Sequence, residues 1–131
     1  MEAPIDPVTL ATALAEAAAD TKASDIVILD MRGLVDYTDM FVLCSGRSGR
    51  QVGAIADAVR TAAKVQFGLQ PIGVEGAGTN KWVLVDLGDA VVHVFEESMR
   101  GFYNLDGLWA DAPRLEAPQG DEPAEPRFFT P

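Results

Sequence analysis

Five places in this 131-residue chain carry side chains that could do chemistry. The first is Ser45-Gly46-Arg47-Ser48-Gly49-Arg50, set between an apolar run and a helical pattern. Backbone N–H groups at a helix start, helped by two arginines, could hold a phosphate. The Gly-Lys-Ser/Thr ending of a phosphate loop is missing, and so is a GxGxxG pattern. A simpler reading explains the same residues. Ser48 and Gln51 stand at capping-box spacing, so the stretch is a tight turn into a helix.

Two aspartate pairs, Asp36/Asp39 and Asp86/Asp89, could serve a metal. Nucleotidyl transfer needs carboxylates on adjacent positions of one face, because they must bridge two ions. Asp86 and Asp89 are separated by a turn, and Asp36 and Asp39 fall in an expected loop. His93 is the only histidine. It alternates with Val91 and Phe95 on an apolar strand, with no Ser or Cys at a recognisable spacing. A hydrogen-bonded core or interface histidine fits that setting better than a general base. Cys44 is the only cysteine, inside another apolar run, where a thiol behaves as a small hydrophobe. No catalytic, cofactor-binding or metal-ligating residue is expected from these patterns.

The elements that must position such groups are well marked. Asp6 and Pro7 suit the N-cap and first position of a helix that carries Leu10, Leu14 and Ala17/Ala18 to about Thr21. Residues 25–30, DIVILD, read as a strand covered on both faces. Residues 31–39 read as a loop, and residues 40–44, MFVLC, as a second strand. A helix begins at Ser48, with Val52, Ile55, Ala56, Val59 and Ala62/Ala63 in one stripe and Gly68 as its stop. Residues 71–74 make a short strand, and EGAGTN at 75–80 a turn. Trp82, Leu84 and Asp86 then alternate with Val83, Val85 and Leu87. After Gly88-Asp89, Val91, His93 and Phe95 alternate with Val92 and Val94, a strong hairpin pattern. One last helix carries Met99, Phe102, Tyr103, Leu105, Leu108 and Trp109. The helix after Ser48 is long enough to cross over to a parallel strand. The expected fold is α/β, a mixed β-sheet flanked by helices.

Composition narrows the function classes. A single domain is expected over residues 1–110, followed by an acidic, proline-rich, strand-free and disordered tail over 111–131. Within that tail, Phe128-Phe129 could be a short sticky motif. No apolar run approaches the ~20 residues that cross a bilayer, and no secretory signal is visible, so no membrane partner is expected. A lone cysteine suits a reducing, cytoplasmic setting. The net charge is −10. Residues 110–131 hold five acids and two arginines, which leaves −7 on the rest. Phosphates are repelled by such a body, and no basic stripe is present, so direct sequence-specific nucleic-acid binding is not expected. Near RNA, a protein of this charge should dock on a basic protein.

The hairpin is the best candidate working surface. Its first strand puts Trp82 and Asp86 on one face, unusual for a face meant only for burial. Trp82 opens the strand after a glycine-rich turn, a position that favours exposure. Trp109, at the end of an apolar helical stripe, reads as core.

Five blocks along the chain resemble bacterial ribosomal silencing factors of the Iojap (RsfS) family. They are DIVILDMRG at 25–33, TDMFVLCSGRSGRQV at 38–52, GVEG at 73–76, WVLVDLGDAVVHVF at 82–95 and RGFYNLDGLW at 100–109. The resemblance covers about residues 7–109. It implies a nucleotidyltransferase-like fold without catalytic carboxylates, and no enzymatic activity or cofactor. It further implies binding to the large ribosomal subunit through its fourteenth large-subunit protein, with a steric block to joining of the small subunit. Translation would then be repressed in starvation or stationary phase. Homodimers are also implied, and relatives in organelles act in large-subunit assembly. By the same analogy the contact falls on Thr79, Lys81, Trp82, Leu84 and Asp86, with Arg100 and Tyr103 beside them. Two alternatives stay open: a large-subunit assembly factor, and a degenerate nucleotidyltransferase-type enzyme.

Overall fold

The structure, a computed structural model, describes residues 4–119. Its ten elements are, in order, α1 (Pro7–Asp20), β1 (Ser24–Asp30), β2 (Met40–Gly46), α2 (Gly49–Phe67), β3 (Gly73–Glu75), β4 (Trp82–Asp86), β5 (Ala90–Glu96), α3 (Glu97–Tyr103), α4 (Leu105–Leu108) and β6 (Arg114–Leu115). The strands form one six-stranded sheet in the order β3-β4-β5-β2-β1-β6. Only β2 and β5 run parallel; the other four pairings are antiparallel. The sheet is mixed and helix-flanked, as expected. The parallel partner of β2 is β5, so the crossover contains α2 and the two strands after it.

Local chemistry explains the boundaries. Asp6 caps α1 by accepting from the Thr9 N–H, and Pro7 takes the first helical position. Ser48 caps α2 by accepting from the Gln51 N–H. The Gln51 side chain folds back onto the Arg47 N–H at 2.7 Å, one residue before the cap. Its amide nitrogen then donates to the carbonyls of Thr21 and Lys22, tying α2 to the end of α1. Gly68 ends α2 at φ 69°, in the left-handed region where glycine has no Cβ penalty.

The two faces of the sheet carry different cores. Both long helices lie on one face. There Leu10, Leu14, Val52, Ile55 and Val59 meet Ile28, Met40, Val42, Val83, Val85, Val92 and Val94, all buried. The opposite face holds Leu29, Phe41, Leu43, Val91 and Phe95, covered by Leu105 and Ala112 and flanked by Trp82, Leu84 and Trp109. Of the helices, only the short α3 and α4 sit on this second face.

Three sequence expectations need correction. The last helix is two, because Asn104 adopts φ 48° and breaks it; its side chain then caps α4 through the Gly107 N–H. The short strand after α2 is Gly73–Glu75 rather than 71–74. The chain also does not leave the fold at residue 110. Ala112 is buried, the Pro113 carbonyl accepts from the Asp30 N–H, and β6 pairs with Ile28 and Leu29. Gln119 extends this seam by bonding both backbone groups of Ile26. Phe128-Phe129 lies outside the described residues.

Candidate functional site

Alternation along β4 places Trp82, Leu84 and Asp86 on the face away from α1 and α2, while Val83 and Val85 point into the helix-side core. Pairing registers then build rows across that face. Trp82 stands beside Phe95, Leu84 beside His93, and Asp86 beside Val91. The next strand continues the rows with Ser45, Leu43 and Phe41. This face is an aromatic floor with a polar border.

Trp82 is half-buried rather than fully exposed. Its ring stacks on Phe95 at 5.1 Å, and Tyr103 from α3 leans on it at 4.5 Å. Its indole N–H donates to Nδ1 of His93 at 3.1 Å. His93 is buried, so the sequence reading of a hydrogen-bonded core histidine holds. Burial disfavours the imidazolium and pulls the His93 pKa down to about 4. A ring with that pKa, next to Trp82, Phe41 and Phe95, is neutral at physiological pH. Trp109 is half-buried and meets Phe41 edge-on at 6.2 Å, at the margin of the core.

The loop before β4 is fixed from α2. Asn80 takes φ 57°, its side-chain oxygen accepts from the Gly78 N–H, and its Nδ2 donates to the Gly49 carbonyl at 2.9 Å. That anchor leaves Thr79 and Lys81 exposed at the edge of the face. Lys81 Nζ lies 3.8 Å from Glu96 on the neighbouring strand. Asp86 already accepts from the Gly88 N–H, which closes the hairpin turn.

Arg100 is engaged inside the chain. Nε and Nη2 grip both carboxylate oxygens of Asp106 at 2.8 and 3.0 Å, and Nη1 donates to Ser45 Oγ at 2.8 Å. The Arg100 hydrogen bonds hold the Asp106 pKa below its ordinary value against the opposing effect of burial. Arg100 therefore braces α3 and α4 against the sheet. The exposed side chains that result are Phe102 at 75 %, Leu108 at 68 % and Tyr103 at 40 %. Sequence reasoning places Tyr103 in the site but misses Phe102 and Leu108. Their signal is a pair of large apolar residues on helices too short to bury every side.

The other chemical candidates are absorbed locally. Ser45 serves Arg100, Ser48 caps α2, and the Arg47 N–H binds Gln51. Cys44 is buried, and burial pushes its thiol up to about 12, leaving no thiolate at neutral pH. Among the described residues, no group of three His, Cys, Asp or Glu is placed to hold a metal ion, and no helix is long and apolar enough to cross a membrane.

A family model described as "Ribosomal silencing factor during starvation" matches residues 4–130. The chain is 48% identical over 99 residues to the ribosomal silencing factor RsfS of Bacillus subtilis, covering 76% of this chain and 83% of that one. It is 45% identical over 97 residues to the RsfS of Halalkalibacterium halodurans, covering 74% and 82%. A crystal structure of a Chromobacterium violaceum protein superposes with a TM-score of 0.78 at 32% identity, over 94% of this chain and 99% of that one. The chain belongs to the ribosomal silencing factor family.

Proposed function

We propose that this protein binds the large ribosomal subunit through its fourteenth large-subunit protein and blocks joining of the small subunit by occupying the joining face. Translation falls in starvation as a result. It does so in the cytoplasm as a binding protein, with no catalytic step of its own, and it also forms homodimers. The observation that carries the reading is the aromatic face of β4 and α3. Trp82 and Tyr103 form a braced, half-exposed aromatic pair on the side of the sheet that no long helix covers. Aromatic anchors of this kind dominate binding energy at protein interfaces. The −10 charge favours a basic ribosomal protein over rRNA and speeds docking on it. Thr79, Lys81, Trp82, Leu84, Asp86 and Tyr103 form the contact in this reading. Arg100 sits behind it and holds Tyr103 in place.

The test is sedimentation of purified subunits with this protein at a magnesium concentration that permits joining. Co-migration with the large subunit and fewer joined ribosomes are expected. Co-migration without an effect on joining would move the reading to an assembly factor, and no co-migration would overturn it. Trp82→Ala is expected to stay folded and to bind more weakly by ~2 kcal/mol, about thirtyfold.

A further inference from the structure

Among the described residues, one buried side-chain polar atom has no hydrogen-bond partner: Nε2 of His93. The indole nitrogen of Trp82 can only donate, so Nδ1 of His93 must offer a lone pair. The neutral ring then carries its proton on Nε2, where nothing accepts it. An orphaned buried donor costs stability. A leucine would fill this place between Leu84 and Leu43 without that cost. What leucine could not supply is the acceptor for Trp82.

The acceptor matters because ring packing alone leaves the indole a choice. Phe95 and Tyr103 contact the faces and edges of Trp82, and such contacts tolerate sliding and a flipped ring. A hydrogen bond to the indole nitrogen distinguishes one edge of the ring from the other. We infer that His93 is the positioning residue of the contact surface: its Nδ1 locks the Trp82 indole in one pose before the partner arrives. Ordering the side chain in advance lowers the entropy lost on binding. The inference rests on the reading that Trp82 belongs to the ribosome contact.

The experiment uses the full chain with purified large subunits, and reads affinity by co-sedimentation and the Trp82 indole N–H by NMR. In His93→Leu the indole resonance should lose its hydrogen-bonded shift, and affinity should fall about tenfold. Asparagine places a side-chain oxygen where Nδ1 stood, so His93→Asn should restore both. Trp82→Phe removes the bond from the other side and should also weaken binding about tenfold, which keeps the test open if His93→Leu fails to fold. Wild-type affinity in His93→Leu or Trp82→Phe would overturn the inference, as would a His93→Asn variant as weak as His93→Leu. Trp82→Ala separates the two levels. If it loses binding while the other variants keep it, only the positioning role falls. If it binds like wild type, the placement of the contact falls as well.

Discussion

Arg100 and Asp106, six residues apart on two short helices, meet in a forked ion pair whose remaining arm reaches Ser45 at the end of β2. Both partners are largely shielded, with side-chain exposures of 13% and 27%. Exposed pairs contribute about 0.5 kcal/mol, while breaking a fully buried one costs about 3–5 kcal/mol. Arg100→Ala is therefore expected to destabilise the fold by about 2 kcal/mol in urea titration. Arg100→Lys should recover less than half of that, because an ammonium cannot make the fork. Full stability in Arg100→Ala would show that α3 and α4 are held by packing alone.

His93 makes stability pH-dependent. The unfolded chain takes up the proton near 6.5, whereas the folded chain takes it up only near 4. Between those values the unfolded state binds more protons, so stability rises with pH. The contribution is complete above pH 6.5 and is lost as the pH falls toward 4, by roughly 3 kcal/mol. Urea midpoints measured from pH 7.5 down to 5 should fall, and His93→Asn should flatten that slope. Asp106, whose pKa is lowered, adds a separate loss only below the ordinary carboxylate range.

Gly53 lies in the second turn of α2, where alanine would usually gain about 1 kcal/mol. A Cβ there would stand 2.9 Å from Asn80 Nδ2 and would push it off the Gly49 carbonyl. Gly53→Ala should therefore destabilise the wild-type chain by about 1 kcal/mol, the net of a lost anchor and a better helix former. In an Asn80→Ala background the same change should stabilise. A Gly53→Ala effect of the same sign in both backgrounds would mean that the anchor contributes little.

Truncation distinguishes the C-terminal seam from the residues past Gln119. Ending the chain at residue 110 removes Ala112, β6 and the Gln119 bonds. The expected loss is ~3 kcal/mol, or roughly 10 °C in melting temperature. A chain ending after Gln119 keeps all three and is the reference for that loss.

Most of the frame was legible because single residues settled it. Asp6, Ser48 and Gly68 fixed helix ends, and Gly88-Asp89 fixed the hairpin. The alternation of β4 correctly put Trp82, Leu84 and Asp86 on one face. What stayed hidden depended on distant partners. Arg100 reads as part of the partner contact until the fold brings Asp106 and Ser45 to it. Two-residue β6, between Pro113 and Pro118, is too short to show a period and exists only because β1 offers it an edge. The break at Asn104 was visible only as a residue type that tolerates positive φ, a weak signal inside an apolar helical pattern. Trp82 is packed by Phe95, His93 and Tyr103, and the position of Tyr103 over it was not specified by the sequence.

The amide of Gln119 bonds both the N–H and the carbonyl of Ile26, as a backbone residue of a neighbouring strand would. With Pro113 and β6 it seals the outer margin of β1 from Ile26 to Asp30. An unsealed margin of that length is a template for cross-chain pairing and fibrous aggregation. The opposite margin, β3, offers only three residues to a stray strand. The seam thereby guards the chain against self-templated precipitation, and loss of the Gln119 side chain would expose that hazard at the Ile26 end of β1.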